Sequence, residues 1–431
     1  MGGTNFDDVA SATTQRFLKD ITRIALSSQD EHAFLAMEVL GSINRQGLTH
    51  PKETGVTLIT LETSANRKIA ELAFMEHRSL HEKHETVLER EYVKAVQSAY
   101  NYQRDIVKDS HGATVDPFQS KLHLLMEVLK ISKLKNRQRF LEKLCNQTDF
   151  ELSKFDAIGD LPPHVDFARF IVENMAFFEY QTVGELQSVV NTLEKIVTGT
   201  GATVAQAIES EVFNVRMDVD ELGQPQDSIA ADPSAAMSAG DLPMGGQQVI
   251  SQLPVSALSV EPQRLRQLTA ASMVLLSLWE ARTYIRKLYN MGTSRHDSKA
   301  KALAKDLNKT PSKTQGVHGD KFWDEVASHM KGLQNEETMA RTCRSLVELM
   351  NVDKEFKVTN EDDEMAIDEH GTPSEEEDDD APDRGRKRKG GATPGGRKKR
   401  ARSSSQPRKR GRPRKQSVET SEDAEFDADW I

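Results

Sequence analysis

The chain has 431 residues, of which 37% are apolar, 29% charged and only 6% aromatic, a composition typical of amphipathic helices accompanied by polar, unfolded tails. It contains no run of 18 apolar residues and no secretory leader, so we expect no membrane partner. The two cysteines, Cys145 and Cys343, form no metal or redox motif and fit a reducing compartment.

The net charge of −10 hides three blocks of strong and alternating charge in the C-terminal tail. Residues 361–383 contain 13 acids and no Lys or Arg, residues 384–415 contain 16 Lys or Arg and no acid, and residues 416–431 contain six acids. These blocks contribute −13, +16 and −6, which leaves −7 for residues 1–360. Charge blocks of this size predict a disordered interaction tail attached to a mildly acidic folded part.

The first quarter of the chain predicts one helix after another. Residues 6–28 have an amphipathic pattern. A second helical stretch runs from about Glu31 to Val107, with polar breaks at Gly47–Pro51, Glu62–Asn66 and Glu82–His84. This stretch has the length of two HEAT-type repeats of about 40–47 residues each. Because such hairpins bury their apolar faces only against neighbouring hairpins, we expect a longer array that begins before this chain does.

Further helices follow a polar break that contains Gly112 and Pro117. Leu125 lies on the clearest apolar face of this region, and the residue pair Pro162-Pro163 ends the hairpin to which it belongs. The apolar runs up to residue 217 have a helical period and none alternates, so no sheet is expected. The predicted helices lie at 122–129, 134–145, 167–178, 186–193 and 199–217.

Residues 218–260 lose this periodicity and are rich in Gly, Pro, Ala, Ser, Met and Gln, which predicts a linker or an exposed loop. Helix resumes at Glu261 and continues to about Tyr289, and disorder is expected beyond Val358. Shorter helices are predicted at 298–307, 320–332 and 336–350. The prediction is therefore an all-α HEAT-repeat solenoid built from residues 1–217 and 261–352, with a disordered tail at 353–431.

The clearest binding motif is PRKRGRPRK at 407–415, which has the form of an AT-hook. Its glycine lets the backbone approach the floor of a DNA groove, and its proline keeps the segment extended. The two central arginines then point along a narrow, A·T-rich minor groove. The residues assigned to this motif are Arg408, Arg410, Gly411, Arg412, Pro413 and Arg414. A generic polybasic tail is the alternative, and it also binds DNA through the phosphates.

Three more basic clusters have a less specific sequence signal. Two of them predict nuclear localisation signals and comprise Arg386, Lys387, Arg388 and Lys389, and Arg397, Lys398, Lys399 and Arg400. The third lies within the helical array, where Lys133, Lys135, Arg137 and Arg139 are candidate contacts for DNA or an acidic protein surface. A solvated helix face is the alternative for this third cluster.

No pattern of catalytic residues is recognisable. His77, His81 and His84 have helical spacing but lack the HExxH order of a zinc protease, and we interpret them as a solvated helix surface. The GTGAT sequence at 199–203 lacks the Lys of a phosphate loop and predicts a turn between helices. Without a nucleophile–base pair or paired carboxylates, we expect no enzyme, no metal site and no cofactor.

Several short motifs occur in a fixed order along the chain. They are Gln46-Gly47-Leu48 with His50-Pro51, His77-Arg78, Lys83-His84, Asn136-Arg137, Glu173 to Phe178 with Tyr180-Gln181-Thr182, Thr200-Gly201, the helix at Leu276–Leu288, and Lys313-Thr314 to Gly319. In this order they resemble the C-terminal part of the Nipped-B (adherin) family of cohesin loaders. The resemblance extends over residues 30–215 and 261–335.

This resemblance implies a hook-shaped HEAT solenoid that helps to load the ring-shaped cohesin ATPase onto chromatin in the nucleus. The implied partners are DNA, the cohesin ATPase heads and the kleisin, while cohesin itself hydrolyses ATP. The loader's partner subunit is expected to bind an N-terminal region outside this chain. The alternative function is a general HEAT-repeat chromatin scaffold whose DNA binding lies only in the AT-hook tail.

Overall fold

A computed structural model describes the backbone of residues 3–213, 260–291 and 307–368, with side chains from residue 8 and up to residue 352. Twelve α-helices make up most of these ranges. They are α1 (Gly3–Ser27), α2 (Glu31–Arg45), α3 (Pro51–Leu61), α4 (Arg67–Leu88), α5 (Tyr92–Tyr102), α6 (His123–Leu129), α7 (Leu134–Asn146), α8 (Pro163–Ala176), α9 (Val183–Glu211), α10 (Pro262–Leu288), α11 (Asp320–His329) and α12 (Glu336–Asp368). A π-helical turn (Gln103–Val107) extends α5, and a 3₁₀ turn (Leu152–Lys154) precedes α8.

Several helices begin at side-chain caps that the sequence supplies. Asp30 accepts hydrogen bonds from the N–H groups of His32 and Ala33, each at 3.0 Å. The bond from Ala33 is the largest of the effects that lower the pKa of Asp30. Asn66 and Thr182 cap α4 and α9 in the same way, each satisfying a backbone donor that has no partner within the helix. The predicted breaks at 47–51 and 62–66 coincide with the ends of α2 and α3.

Two other predicted breaks have different outcomes. The break at Glu82–His84 is present as a kink at His84, where φ is −136° and ψ is 36°, between two helical segments of α4. The predicted turn at GTGAT is wrong, because helix α9 continues through this sequence. Gly201 lies in its buried face, where an added Cβ would come within 3.2 Å of the Met350 sulfur, so the glycine allows close helix packing there.

The expectation of no sheet before residue 217 is also wrong, because a short antiparallel hairpin pairs β1 (Ala113–Val115) with β2 (Phe118–Ser120). Two side chains of α8 hold this hairpin. Glu173 accepts a hydrogen bond from the Gly112 N–H at 2.6 Å, and the Asn174 carbonyl oxygen accepts one from the Ser120 hydroxyl at 2.7 Å. The hairpin therefore depends on tertiary contacts, which its own short sequence does not reveal.

The helices stack into one continuous array, which confirms the predicted helical solenoid. α1 packs on α2, α3 on α4 and α5, α7 on α9, and α10 on α8, α9, α11 and α12. Arg264 and Glu211 form an ion pair at 2.7 Å, so the helices on either side of the 218–260 segment belong to one compact unit. The segment itself and the predicted helix at 298–307 lie largely or wholly outside the described residues, and α12 continues past Val358 to Asp368.

Candidate interaction surface on helix α7

Helix α7 is anchored in the array by a buried ion pair that the sequence analysis missed. The Arg137 Nε donates to Glu185 Oε1 of α9 at 2.7 Å, and its Nη1 donates to the Ser132 carbonyl at 3.0 Å. The two charged side chains are only 10% and 1% exposed. The second oxygen of Glu185 accepts the Gln181 N–H at 2.9 Å. Arg137 is therefore buried in a structural ion pair. This corrects its assignment as a candidate contact for DNA or an acidic protein surface.

The other basic residues of this segment are on the surface. Lys135, Arg139 and Lys143 are exposed and follow one another at i, i+4 and i+8, while Lys133 is exposed just before the helix begins. We call these four residues the α7 basic stripe. The rise of an α-helix places Lys135 and Lys143 about 12 Å apart along the axis. Within the described ranges, none of the four forms an ion pair shorter than 4.0 Å.

Nearby carboxylates differ in their effect on this stripe. Burial and the neighbouring Glu85 raise the pKa of Glu89, and the charge of Arg139 opposes that rise. Arg139 therefore already interacts electrostatically with Glu89. Lys130, at the end of α6, is already engaged by Glu127 and by Glu179, the latter at 3.7 Å. Lys133, Lys135 and Lys143 therefore have the charges most available to an external anion.

A buried polar network lies beneath the same region and contradicts the expectation of a solvated histidine surface. His77 and His81 are 0% and 2% exposed. The His77 Nδ1 lies 2.6 Å from Glu62 Oε1, and the Tyr92 hydroxyl lies 2.5 Å from the His81 Nδ1. The other His81 nitrogen lies 2.8 Å from the Ser132 hydroxyl, whose residue also bonds Arg137 through its carbonyl. The network thus joins α4 and α5 to the start of α7. Of the three histidines at 77, 81 and 84, only His84 is exposed.

The environment of this network sets its protonation. Burial, with the nearby His77 as a second cause, lowers the pKa of His81 to about 4. Burial, followed by the Glu62 charge, raises the pKa of Tyr92 far above its ordinary value. Near neutral pH His81 is therefore an uncharged imidazole between two hydroxyl groups, which is a structural role.

The remaining sequence candidates cannot be compared with this surface. The AT-hook at 407–415 and both predicted nuclear localisation signals lie outside the described residues. Within the described ranges, no group of three or more His, Cys, Asp or Glu side chains is arranged to hold a metal ion. The same ranges contain no helix long and apolar enough to cross a membrane.

The folded array has clear relatives among known proteins. Residues 10–196 match the family model described as "Sister chromatid cohesion C-terminus", named Nipped-B_C. The predicted resemblance to the Nipped-B family is confirmed. The C-terminal fragment of the Chaetomium thermophilum cohesin loader SCC2 is 53% identical and superposes with a TM-score of 0.62, covering 81% of this chain and 21% of that one.

More distant relatives agree with this assignment. The sister chromatid cohesion protein mis4 of Schizosaccharomyces pombe is 25% identical over 217 residues, which is 48% of this chain and 13% of that protein. Nipped-B-like protein B of Danio rerio is 22% identical over 209 residues, or 48% of this chain and 7% of that protein. The chain thus spans only a small part of the length of these curated relatives.

Several of the motifs that carry the family resemblance have structural roles. Arg137 anchors α7 through its buried ion pair, and Asn136 donates to Glu85 of α4 at 3.3 Å. His77 belongs to the buried polar network, and Glu173 and Asn174 hold the β1–β2 hairpin. The His50 side chain caps α3. The four residues of the α7 basic stripe lie on either side of the Asn136-Arg137 motif. The motif therefore positions the helix that carries the stripe, and the stripe residues are the candidate contacts.

Proposed function

We propose that this chain is the C-terminal, cohesin-facing part of a cohesin loader and that it acts in sister chromatid cohesion in the nucleus. The 53% identity to the cohesin loader fragment over most of the chain supports this role. In this role the array binds DNA and contacts the cohesin ATPase heads and the kleisin. A loader partner subunit binds a region beyond this chain. Cohesin, not this chain, performs the ATP hydrolysis.

The α7 basic stripe is the observation that favours DNA binding by the array itself. Four exposed cations stand on a folded part that is otherwise mildly acidic, and Arg137 fixes the helix that carries three of them. Cations spaced by one helical turn can follow successive phosphates of a DNA backbone, where each contact releases counterions. The stripe therefore supplies a salt-dependent contact that does not depend on base sequence.

A charge reversal in the complete loader tests this role. Changing Lys133, Lys135, Arg139 and Lys143 to Glu, with Arg137 untouched, should lower DNA affinity and DNA-stimulated ATP hydrolysis by cohesin. The helical fold should survive, because exposed substitutions shift stability by only about 0.5 kcal/mol. The effect should persist after deletion of residues 353–431.

A matched control separates the stripe from overall charge. Reversing Arg16, Lys19, Lys68 and Lys83, which are exposed on α1 and α4, changes the net charge by the same amount. This control should retain DNA binding and ATPase stimulation. If the stripe variant behaves like the control, the stripe is a solvated face.

The tail supports a second candidate function, a general chromatin scaffold that binds DNA through the AT-hook alone. Its basis is the intact motif at 407–415 and the 16 basic residues of its block. In that case deletion of the tail abolishes DNA binding and the stripe variant has no effect.

Nuclear entry is proposed to depend on the clusters at 386–389 and 397–400 in either case, and their replacement by Ala should leave a fluorescent fusion in the cytoplasm.

A further inference from the structure

A groove of about 570 Å³ lies between α7 and α9, on the side of α7 that faces α9. Each wall is a row of side chains at i, i+4 and i+8. The α7 wall consists of Leu134, Gln138 and Glu142, and the α9 wall consists of Gln187, Asn191 and Lys195. We propose that this groove binds an extended polypeptide segment of a partner protein, with an acidic residue of that segment reaching Lys195.

One end of the groove already holds main chain from another part of this protein. The Val183 N–H donates to the Lys309 carbonyl at 2.9 Å, and the Gly184 N–H donates to the Leu307 carbonyl at 2.8 Å. Leu307 and Asn308 lie in a turn, and Lys309 lies in the bend that follows it. Leu307 and Asn308 also line the groove. The start of α9 therefore binds main chain in this protein, and the groove continues from that point.

The two walls differ in how their polar groups are engaged. On the α7 wall, Glu142 accepts hydrogen bonds from the Ser188 hydroxyl at 2.5 Å and from the Gln138 amide at 3.3 Å. On the α9 wall, the side-chain amides of Gln187 and Asn191 make no hydrogen bond to any part of the chain that the structure describes. Each amide offers both donors and an acceptor, which is the combination needed to pair with a peptide group.

The spacing of these amides matches an extended chain. Residues four apart on a helix rise by about 6.0 Å. Alternate residues of a strand, whose peptide groups face the same side, are about 6.6–6.8 Å apart. Gln187 and Asn191 can therefore pair with alternate peptide groups of one segment. The row from Leu134 to Glu142 is about 12 Å long, which accommodates about four extended residues.

The charge of the groove selects among such segments. Lys195 is exposed at the far end of the α9 wall and forms no ion pair shorter than 4.0 Å within the described ranges. Glu142, the one acid of the lining, lies on the opposite wall, where its Oε1 accepts the Ser188 and Gln138 bonds. An acidic side chain placed over Lys195 gains an ion pair, whereas a basic one is repelled.

Peptide binding to the full 431-residue chain tests the proposal. Overlapping 15-residue peptides that tile the cohesin subunits serve as probes in fluorescence anisotropy, and only this choice of peptides depends on the proposed function. At least one peptide with an acidic residue should bind. The double variant Gln187→Leu/Asn191→Leu should weaken that binding at least about tenfold, since two peptide hydrogen bonds are lost.

Controls make the result specific to the groove. Gln206→Leu, an exposed glutamine farther along α9, should leave the affinity unchanged. Lys195→Ala should weaken the binding of the acidic peptide. It should leave unchanged the binding of the same peptide with its acidic residue replaced by Asn or Gln. Asn191→Ala, at an exposed position, repeats the test if the double variant disturbs the helix. None of the four residues of the α7 basic stripe lines the groove, so a failure of the DNA proposal does not affect this test.

Two results would overturn the inference. One is that no peptide depends on Gln187 and Asn191 for its affinity. The other is that a single-stranded dT15 oligonucleotide binds the chain and loses affinity in the same double variant, which would assign the groove to nucleic acid.

Discussion

The buried pair between Arg137 and Glu185 permits the sharpest test of the structure, because the sequence pattern placed Arg137 on the surface. The change is Arg137→Met, which keeps an unbranched side chain and removes its charge. It leaves the Glu185 carboxylate, 1% exposed, with the Gln181 N–H as its remaining donor, and it removes the donor of the Ser132 carbonyl.

The magnitude follows from the burial of the partner that remains. Breaking a buried pair on one side strands an uncompensated charge and costs about 3–5 kcal/mol of folding free energy. The second change Glu185→Gln removes that charge and keeps an acceptor for the Gln181 N–H. The double variant should therefore recover a large part of the loss, which a double-mutant cycle reports as coupling energy. Lys135→Met, two residues away and exposed, should stay within about 0.5 kcal/mol of the unchanged protein.

Two measurements on the full chain check this expectation. Urea unfolding followed by circular dichroism gives the change in free energy, and amide hydrogen exchange in residues 130–146 and 181–192 shows whether α7 detaches locally, as repeat arrays can open in parts. If Arg137→Met stays within about 0.5 kcal/mol of the unchanged protein and leaves exchange in α7 unaltered, the guanidinium is a surface group and the structural assignment fails.

Three further predictions follow from burial, protonation and the tail motif. Leu125→Asp places an unpaired carboxylate where the side chain is 1% exposed and should cost about 3–5 kcal/mol in urea unfolding, whereas Leu35→Asp at a 58% exposed position should be tolerated. Burial lowers the pKa of His81 from an ordinary 6.5 to about 4, so between these pH values the imidazole is protonated in the unfolded chain but not in the folded chain. The free energy of unfolding should therefore fall as the pH drops from about 6.5 towards 4. Comparing urea midpoints at pH 7 and pH 5 should show a smaller difference in His81→Gln, and an unchanged difference would exclude this group. Replacing Arg410 and Arg412 by Ala should abolish the preference for A·T-rich over G·C-rich duplexes in gel-shift titrations while weak, salt-dependent binding remains, and equal loss on both duplexes would leave only the polybasic explanation.

The sequence errors share one physical cause. His77, His81 and Arg137 are polar residues at positions that helical spacing alone leaves ambiguous, and each is buried because a partner far along the chain satisfies it. The Arg137–Glu185 contact joins positions 48 residues apart. A single sequence contains no signal for such a pair, since any of its many exposed carboxylates could serve equally well.

The β1–β2 hairpin and the continuous α9 show the same limit for local structure. The hairpin strands have three residues each, too few to alternate visibly, and side chains of α8 supply the contacts that hold them. In α9 the glycines at 199 and 201 have the composition of a turn, yet Gly201 is the residue that lets α12 pack close.

Local chemistry was sufficient for the helical class of the array, the breaks at 47–51 and 62–66, and the family resemblance, because apolar period, turn residues and ordered motifs are properties of neighbouring residues. Tertiary structure alone decided which cations of the Lys130–Lys143 segment face solvent, and it alone formed the groove of Gln187, Asn191 and Lys195. The reason is that a period of 3.6 residues groups the side chains of a helix into faces without saying which face is buried. Only the packing of α9 against α7 determines which face of α7 is buried.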